Sequence, residues 1–288
     1  MNYIFYHKID YDGKCSGAIA ALSLKEYKLC PINYGEEFPF EIIKKDDIVY
    51  MLDFSLQPFD QMIKLNNSCK LVWIDHHKSA IEEYKKSGAT FNCKLISSVA
   101  ACESVWNFFH TTPAPISVKL LSLYDIWDKK DPRVDQFQCG VGTIFELDPT
   151  KTLEDWGKVL QLGENDVEFQ EVIKNGIIIE DYRKNDAEEK CKAMYWTDTI
   201  FGHKAVIANC RGNSMFFDSV YDKEQAELMI LFNYFGPSKT WTVSLYSKNP
   251  NVECGNIAKQ HGGGGHKGAA GYQTNDLSEI LKNVAKIQ

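Results

Sequence analysis

Three short apolar runs in the N-terminal part of the chain are each followed directly by acidic or histidine side chains. The runs cover residues 3–6, 48–52 and 71–74, and continuous apolar segments of this length are typical of strands that are buried on both faces. Helical patterns lie between and after them, at residues 16–27, 57–65, 99–109 and 116–126. This alternation of strands and helices predicts an α/β fold with a parallel sheet.

The polar residues that follow these strands are expected to meet at one edge of the sheet. The first strand leads into His7, Asp10 and Asp12, the second into Asp53, and the third into Asp75, His76 and His77. In open α/β sheets, ligands bind beyond the carboxyl ends of the strands. Three separate segments are therefore predicted to contribute to one site.

The residue types at this edge favour a divalent cation. Asp10 and Asp12 place two carboxylates close together beside His7, which is destabilising unless a cation or a proton offsets the like charges. Carboxylates and imidazoles suit manganese and other borderline-hard divalent ions. The alternative for this segment is a strand-to-helix turn in which Asp12 caps the helix. Asp125 and Asp128 lie at the end of another apolar helix, and their spacing leaves open which of them is a ligand.

The second half of the chain predicts a smaller α/β domain. Residues 165–194 are charged and helical in pattern, and we interpret them as a helix and linker leaving the first domain. Strands are predicted at 204–208 and 240–246, with a helix at 223–232 between them and a last helix near 277–285. The predicted domains are therefore residues 1–185 and residues 195–288.

A glycine run at residues 262–265 precedes two basic side chains. Glycines let several backbone N–H groups approach an anion closely. The pattern predicts an ordered loop that binds a phosphate or a nucleotide through Gly263, Gly264, Gly265, His266 and Lys267. It does not match the P-loop pattern, because no Ser or Thr follows the lysine. The alternative is a flexible loop without a ligand.

Charge and cysteine content exclude several classes of protein. The formal net charge is −7, so a long nucleic-acid duplex is not an expected partner. The nine cysteines form no CxxC pair, which argues against a disulfide framework or a zinc–thiolate site and favours a reducing compartment. No signal peptide is evident, and no segment reaches the ~18 apolar residues of a membrane span. We therefore expect a cytoplasmic protein without a membrane partner.

The motifs resemble those of the DHH phosphoesterase superfamily, which is named for the tripeptide Asp75-His76-His77. The resemblance covers nearly the whole chain and is oligoribonuclease-like. It begins with a motif at residues 7–17, includes Asp53 and the region around Asp125, and ends with a DHH-associated C-terminal domain marked by residues 262–271. It implies a parallel-sheet, Rossmann-like DHH domain with a smaller α/β C-terminal domain, and an active site in the cleft between them.

The resemblance also implies two divalent metal ions, with manganese preferred. The implied ligands are His7, Asp10 and Asp53 for one ion, and Asp12, Asp53, His76 and Asp125 for the other. Asp53 would therefore bridge the two ions. His77 would face the scissile phosphate, and Asp75 would orient a neighbouring histidine.

The expected activity is hydrolysis of phosphate esters in short oligonucleotides or small nucleotides by a two-metal mechanism. Cyclic-dinucleotide phosphodiesterase and adenosine bisphosphate phosphatase are alternatives within the same superfamily. A non-catalytic nucleotide-binding regulator is the alternative from another class, but all six candidate metal ligands are present, which favours an enzyme. The oligomeric state is left open, with a homodimer as one option.

Overall fold

The structure is a computed structural model that describes residues 1–282. It divides into two compact units, Met1–Glu180 and Asp181–Gln288. The elements that begin in the first unit are β1 (Asn2–His7), α1 (Tyr11–Ser23), β2 (Lys28–Ile32), β3 (Ile48–Leu52), α2 (Asp60–Ser68), β4 (Lys70–Asp75), α3 (Lys78–Ser87), β5 (Asn92–Leu95), α4 (Ala101–Phe109), α5 (Ile116–Asp125), α6 (Arg133–Gly140), α7 (Leu153–Val159) and α8 (Val167–Met194). Helix α8 ends in the second unit.

The sheet of the first unit is fully parallel, with the strand order β2-β1-β3-β4-β5. This confirms the predicted α/β class. The strand order reverses between β1 and β3, and such a switch point is where ligands bind in open α/β sheets. The sequence does not predict β2 and β5, because both are partly exposed edge strands, and β2 contains Pro31.

Alternate side chains of the central strands pack into two separate hydrophobic clusters. On β1, Ile4 and Tyr6 join a cluster that includes residues of α1, α4, α5 and α6. Phe5, between them, joins a second cluster with residues of α2 and α3. Because both faces of the sheet are covered by helices, the central strands are apolar throughout, as the sequence predicts.

Helix α1 begins at Tyr11 rather than at the predicted residue 16. Its N-cap is Asp10, whose side chain accepts a hydrogen bond from the backbone N–H of Gly13 at 2.9 Å. Asp12 is therefore not the cap; it lies inside the first turn and is buried. The first turn carries polar residues without apolar periodicity, which is why the pattern places the start of the helix too late.

The second unit contains a six-stranded sheet that is mostly antiparallel. Its elements are β6 (Trp196–Ile200), β7 (His203–Ala208), β8 (Leu228–Phe235), β9 (Thr240–Tyr246), α9 (Cys254–Gln260), β10 (Gly264–Gly265), β11 (Ala269–Thr274) and α10 (Ser278–Leu281). The strand order is β10-β11-β9-β8-β7-β6, and the β7–β8 pair is parallel. Each face of the sheet packs into its own hydrophobic cluster.

The helix predicted at residues 223–232 is wrong. Strand β8 occupies the later part of this segment and pairs with β7 and β9. A continuous apolar run such as the one at residues 228–232 has the same pattern in a buried strand and in a buried helix, so periodicity does not distinguish the two. The strands predicted at 204–208 and 240–246 are confirmed as β7 and β9. Residues 283–285 of the last predicted helix lie outside the described residues.

Within residues 1–282, no helix combines the length and the apolar character that a transmembrane segment requires.

Helices α6 and α8 approach each other through a pair of glycines. A Cβ atom on Gly176 would lie 1.8 Å from the backbone oxygen of Gln136, and one on Gly140 would lie 1.9 Å from that of Val172. We predict that Gly176→Ala destabilises the first unit by about 2–3 kcal/mol, because the helices must move apart. The melting temperature should fall by roughly 4–12 °C in a unit of this size.

The matched control is Gly157→Ala in α7, where an added Cβ atom meets no atom within 4 Å. Alanine has the higher helix propensity, so this variant should melt at or above the wild-type temperature. Equal melting temperatures for the two variants, measured by circular dichroism, would show that the helices separate without strain.

Candidate metal centre

Three groups of potential metal ligands lie around the carboxyl ends of β1, β3 and β4. Two of them share no residue, and the third, formed by Asp53, His76 and His77, overlaps both. The first consists of His7 at the end of β1, Asp10 at the start of α1, and Asp53 directly after β3. Their nearest ligand atoms lie within 4.8 Å of one another. Nδ1 of His7 is 2.7 Å from Oδ2 of Asp10 and 3.6 Å from Oδ2 of Asp53.

The second group consists of Asp12, His76 and Asp125, from α1, the end of β4 and the end of α5. Nε2 of His76 lies 3.5 Å from Oδ2 of Asp12 and 3.1 Å from Oδ2 of Asp125. The same nitrogen is 3.3 Å from Oδ1 of Asp53. One oxygen of Asp53 therefore faces the first group, and its other oxygen faces the second.

The backbone holds Asp53 in this position between the groups. Its φ angle is 54°, in the left-handed region, which costs roughly 1–2 kcal/mol for most residues but is more accessible to aspartate. Its N–H donates to the carbonyl oxygen of Ile74 at 2.9 Å. The chain thus turns sharply at the end of β3, and the buried carboxylate points between the two neighbouring strand ends.

Asp12 is held by the N-terminus of helix α4. Oδ2 of Asp12 accepts a hydrogen bond from the backbone N–H of Ala101 at 2.9 Å, and Oδ1 accepts one from that of Cys102 at 2.6 Å. Free N–H groups and the helix dipole both favour an anion at such a position. These contacts fix the orientation of a buried carboxylate in the first turn of α1.

Asp75 organises the His76-His77 pair. Its Oδ1 accepts hydrogen bonds from the backbone N–H groups of His76 at 2.7 Å and His77 at 3.0 Å, and it lies 2.7 Å from Nδ1 of His77. Burial lowers the pKa of His77, but the Asp75 carboxylate more than offsets this and raises it. The ring of His77 is partly exposed, and its Nε2 faces away from Asp75.

The crowded carboxylates shift the pKa values of the whole cluster. Burial lowers the pKa values of both histidines, but neighbouring carboxylates raise that of His7 to about 10 and that of His76 to about 9. Burial, followed by the charge of Asp53, raises the pKa of Asp12 to about 8. Burial and the charge of Asp12 raise that of Asp125 to about 6. The cluster therefore has a high affinity for positive charge, and it binds protons when no metal cation competes with them.

Two buried polar atoms support the fit to a cation. Within residues 1–282, Nδ1 of His7 and Oδ1 of Asp53 make no hydrogen bond of favourable geometry, although charged groups lie close to each. A buried polar atom without a partner costs about 1–3 kcal/mol. The three potential ligand groups contain carboxylates and imidazoles and no thiolate, which is the donor set of manganese and magnesium rather than of a structural zinc site.

The structure distinguishes Asp125 from Asp128. Asp125 ends α5 with its carboxylate in the cluster, whereas the carboxylate of Asp128 pairs with Nζ of Lys130 at 3.1 Å. The side-chain hydrogen bond from Lys130 lowers the pKa of Asp128. The geometry therefore favours Asp125 as the candidate ligand.

The residues predicted to bind substrate lie in a β-hairpin of the second unit. Gly264 and Gly265 form β10, which pairs with β11, and the backbone N–H of His266 donates to the carbonyl oxygen of Ala269 at 2.7 Å. A Cβ atom on Gly263 would lie 2.2 Å from the backbone oxygen of Gly271. The glycine run is thus an ordered turn with close backbone contacts. The imidazole of His266 is exposed, and the ammonium group of Lys267 pairs with Glu253 at 2.8 Å.

Asn33 contacts the candidate site but is not predicted from the sequence. Its Oδ1 lies 3.3 Å from Nε2 of His7 and accepts a hydrogen bond from the N–H of Tyr34 at 2.8 Å. Asn33 directly follows β2, so it lies at the carboxyl edge of the sheet like the other site residues. A polar residue directly after a predicted strand is a candidate site residue, and Asn33 escapes this prediction because the sequence does not predict β2.

We predict that Asn33→Ala weakens the metal site next to His7. The amide oxygen of Asn33 fixes the ring so that Nδ1 faces the two carboxylates, and the loss of such an outer partner reduces metal affinity by about 10–100-fold. Asn33→Asp, which keeps an oxygen acceptor, is the control and should lose less affinity. Calorimetric titration with Mn²⁺ measures both variants, and an unchanged affinity in Asn33→Ala would contradict this role.

The N-terminal part of the chain, which contains this site, matches a known family model. The model of the DHH family, N-terminal domain, matches residues 2–128, which include every residue of the candidate metal centre. An uncharacterized protein of Acanthamoeba polyphaga mimivirus is 27% identical over 267 residues and covers 86% of this chain. The chain spans 58% of the length of that relative.

Two solved structures share the fold. A DHH domain from a protein described as a member of a ribosomal protein family has a TM-score of 0.57 and 12% identity, covering 99% of this chain and 85% of that chain. The pGpG-specific phosphodiesterase PggH from Vibrio cholerae has a TM-score of 0.51 and 13% identity, covering 99% of this chain and 96% of that chain. The match identifies a DHH domain at residues 2–128, and the fold of the chain is similar to those of the two solved structures.

Proposed function

We propose that this protein hydrolyses phosphodiester bonds in short oligonucleotides or small nucleotides, using two divalent metal ions with manganese preferred. The observation that carries the proposal is the position of Asp53, whose two oxygens face two separate groups of potential ligands. Such an arrangement is typical of two-metal hydrolases, in which one carboxylate contacts both ions.

The proposed ligands follow the two groups of side chains. His7, Asp10 and Asp53 would hold one ion, and Asp12, Asp53, His76 and Asp125 would hold the other. When bound, the ions would lower the pKa of a water molecule that attacks phosphorus and would offset charge on the phosphoryl oxygens.

The chain's own residues would position the phosphate. Asp75 fixes the ring of His77 through Nδ1, so that Nε2 can donate a hydrogen bond to a phosphoryl oxygen as negative charge develops. The ring of His77 is partly exposed, whereas Asp75 is fully buried. In this arrangement Asp75 orients the histidine and does not contact the substrate.

The proposed substrate class is short because the chain has few means to follow a long polyanion. With a net charge of −7, the protein has no overall excess of the positive charge that favours binding of a long nucleic acid. A small substrate can instead be bound near the cations. The name of PggH describes a phosphodiesterase that is specific for the dinucleotide pGpG, which belongs to the same class of small substrates.

The experiment that tests this function combines metal removal with a panel of substrates. Chelator-treated protein should be inactive, and Mn²⁺ should restore hydrolysis of dinucleotides more than of long single strands. Faster turnover of cyclic dinucleotides or of adenosine bisphosphate would assign one of the alternative activities. Tight nucleotide binding without turnover would identify a regulator, and full activity without a metal would exclude the two-metal mechanism.

A matched pair of variants tests the ligand assignment. Asp125→Asn should reduce turnover by at least about 100-fold, because even outer partners in metal sites account for roughly 10–100-fold. Asp128→Asn should retain near wild-type turnover, because its carboxylate pairs with Lys130 instead of entering the cluster. Bound Mn²⁺ measured by atomic emission should fall toward one ion per chain only in Asp125→Asn. The reverse result would move the ligand to Asp128.

We also propose that the hairpin with Gly263, Gly264, Gly265, His266 and Lys267 binds the phosphate or nucleotide portion of the substrate. The exposed imidazole of His266 supports this role. The exposed Lys267–Glu253 pair is weak enough to exchange for a phosphate, because surface ion pairs contribute only about 0–1 kcal/mol.

We predict that His266→Ala lowers kcat/KM for nucleotide substrates by about 10-fold or more, the effect of losing one hydrogen bond to a charged group. Metal content should stay at the wild-type value, because no candidate metal ligand is changed. The control is His203→Ala, which removes a partly exposed histidine of the second unit that pairs with Glu227. If His266→Ala lowers only the melting temperature and keeps its kinetic constants, the hairpin has a structural role.

A further inference from the structure

Trp127 has an unusual backbone conformation for its residue type. It lies two residues after Asp125, and its φ angle is 63°, in the left-handed region. The hydrogen bonds around it terminate α5: the N–H of Trp127 donates to the carbonyl oxygen of Tyr124 at 3.1 Å, and that of Asp128 donates to Leu123 at 2.9 Å. This pattern is a Schellman motif, in which the left-handed position is usually glycine. A large side chain there costs roughly 1–2 kcal/mol.

Burial does not explain the tryptophan. The residue is 56% exposed, although indole is one of the side chains that gain most from burial. The strain is therefore not offset by core packing within the first unit. Strain of this kind that persists without a packing reason is characteristic of ligand-binding positions.

The indole ring is nevertheless held in a defined position. Nζ of Lys129 lies 4.0 Å from the ring centroid of Trp127 and 4.1 Å from that of Tyr124, so the ammonium group lies between two aromatic rings. The same ammonium group pairs with Asp135. A cation held over an aromatic face contributes about 0.5–1 kcal/mol or more. These contacts fix an exposed aromatic ring before any ligand binds, which reduces the entropy lost on binding.

We propose that Trp127 stacks on the nucleobase adjacent to the scissile phosphate and thereby selects nucleotides over other phosphate esters. This inference rests on the proposed function. The Cα atoms of Asp125 and Trp127 are at most about 7.6 Å apart, because consecutive Cα atoms are 3.8 Å apart. Because the two backbones are this close, the indole is within reach of a nucleoside whose phosphate is bound at the metal centre. Stacking of one base on an aromatic side chain contributes about 1–3 kcal/mol and tolerates any base.

The test compares two probes that differ only in the base, adenosine 5′-monophosphate and ribose 5-phosphate. Their dissociation constants are measured by calorimetry in Mn²⁺ buffer for the wild-type protein, Trp127→Ala and Trp127→Phe. We expect Trp127→Ala to weaken binding of the nucleotide by about 5–150-fold, the range given by the stacking energy. Its affinity for ribose 5-phosphate should change less than twofold, and Trp127→Phe should retain most of the nucleotide affinity.

The control variant is Phe108→Ala, which removes another exposed aromatic ring of the first unit. Phe108 lies near the end of α4 opposite the N-terminus that contacts Asp12, about 10 Å along the helix. It should bind both probes like the wild-type protein.

Two results would overturn the inference: equal effects of Trp127→Ala on both probes, or no preference of the wild-type protein for the probe with a base. Neither measurement requires hydrolysis, so a failure of the proposed function is detected separately. Turnover of dinucleotides by the wild-type protein in Mn²⁺ buffer provides that second readout.

Discussion

The carboxylate of Asp53 is the feature on which both groups of potential ligands depend. β3 lies between β1 and β4 in the sheet, so a residue at its end is next to the ends of both neighbours. The buried carboxylate uses this position to face His7 with one oxygen and His76 with the other. A strand order without this reversal beside β3 would not bring α1 and β4 to the same carboxylate. The topology of the sheet and the chemistry of the site are therefore linked through one residue.

The surrounding hydrogen bonds orient the anionic groups without neutralising them. Asp12 receives two N–H groups from the start of α4, and Asp75 receives those of the His76-His77 segment. These donors stabilise each carboxylate in a fixed direction, but they do not remove the repulsion between Asp12, Asp53 and Asp125. Burial, followed by this repulsion, raises the pKa values of Asp12 and Asp125. Cation binding would relieve it, so metal affinity and the local stability of this edge are coupled.

The sequence predicts the parts of this arrangement that depend on continuous burial. The central strands β1, β3 and β4 are apolar on both faces, so they and the acidic residues after them can be recognised directly. The edge strand β2 is half exposed and includes Pro31, so its sequence does not predict a strand. Asn33, which follows β2, is therefore not predicted as a site residue. Only the position of the end of α5 in the structure distinguishes Asp125 from Asp128 as the ligand. The spacing of the two residues in the sequence does not determine that position. Strand β8 was missed for a different reason, because a buried apolar run has no period that separates strand from helix.

Backbone strain is distributed in a way that distinguishes the site from the rest of the fold. Within residues 1–282, four residues other than glycine have a positive φ angle. Phe201 and Lys239 lie in the turns of the β6–β7 and β8–β9 hairpins, where left-handed residues are common. Asp53 and Trp127 instead lie at the ends of β3 and α5, next to the candidate metal centre. The left-handed backbone at Asp53 orients a carboxylate that faces both ligand groups. The left-handed backbone at Trp127 does not bury the indole, which remains exposed. Because unfavourable backbone conformations persist where the surrounding structure or a ligand compensates for them, the tryptophan is best explained by a molecule that stacks on it.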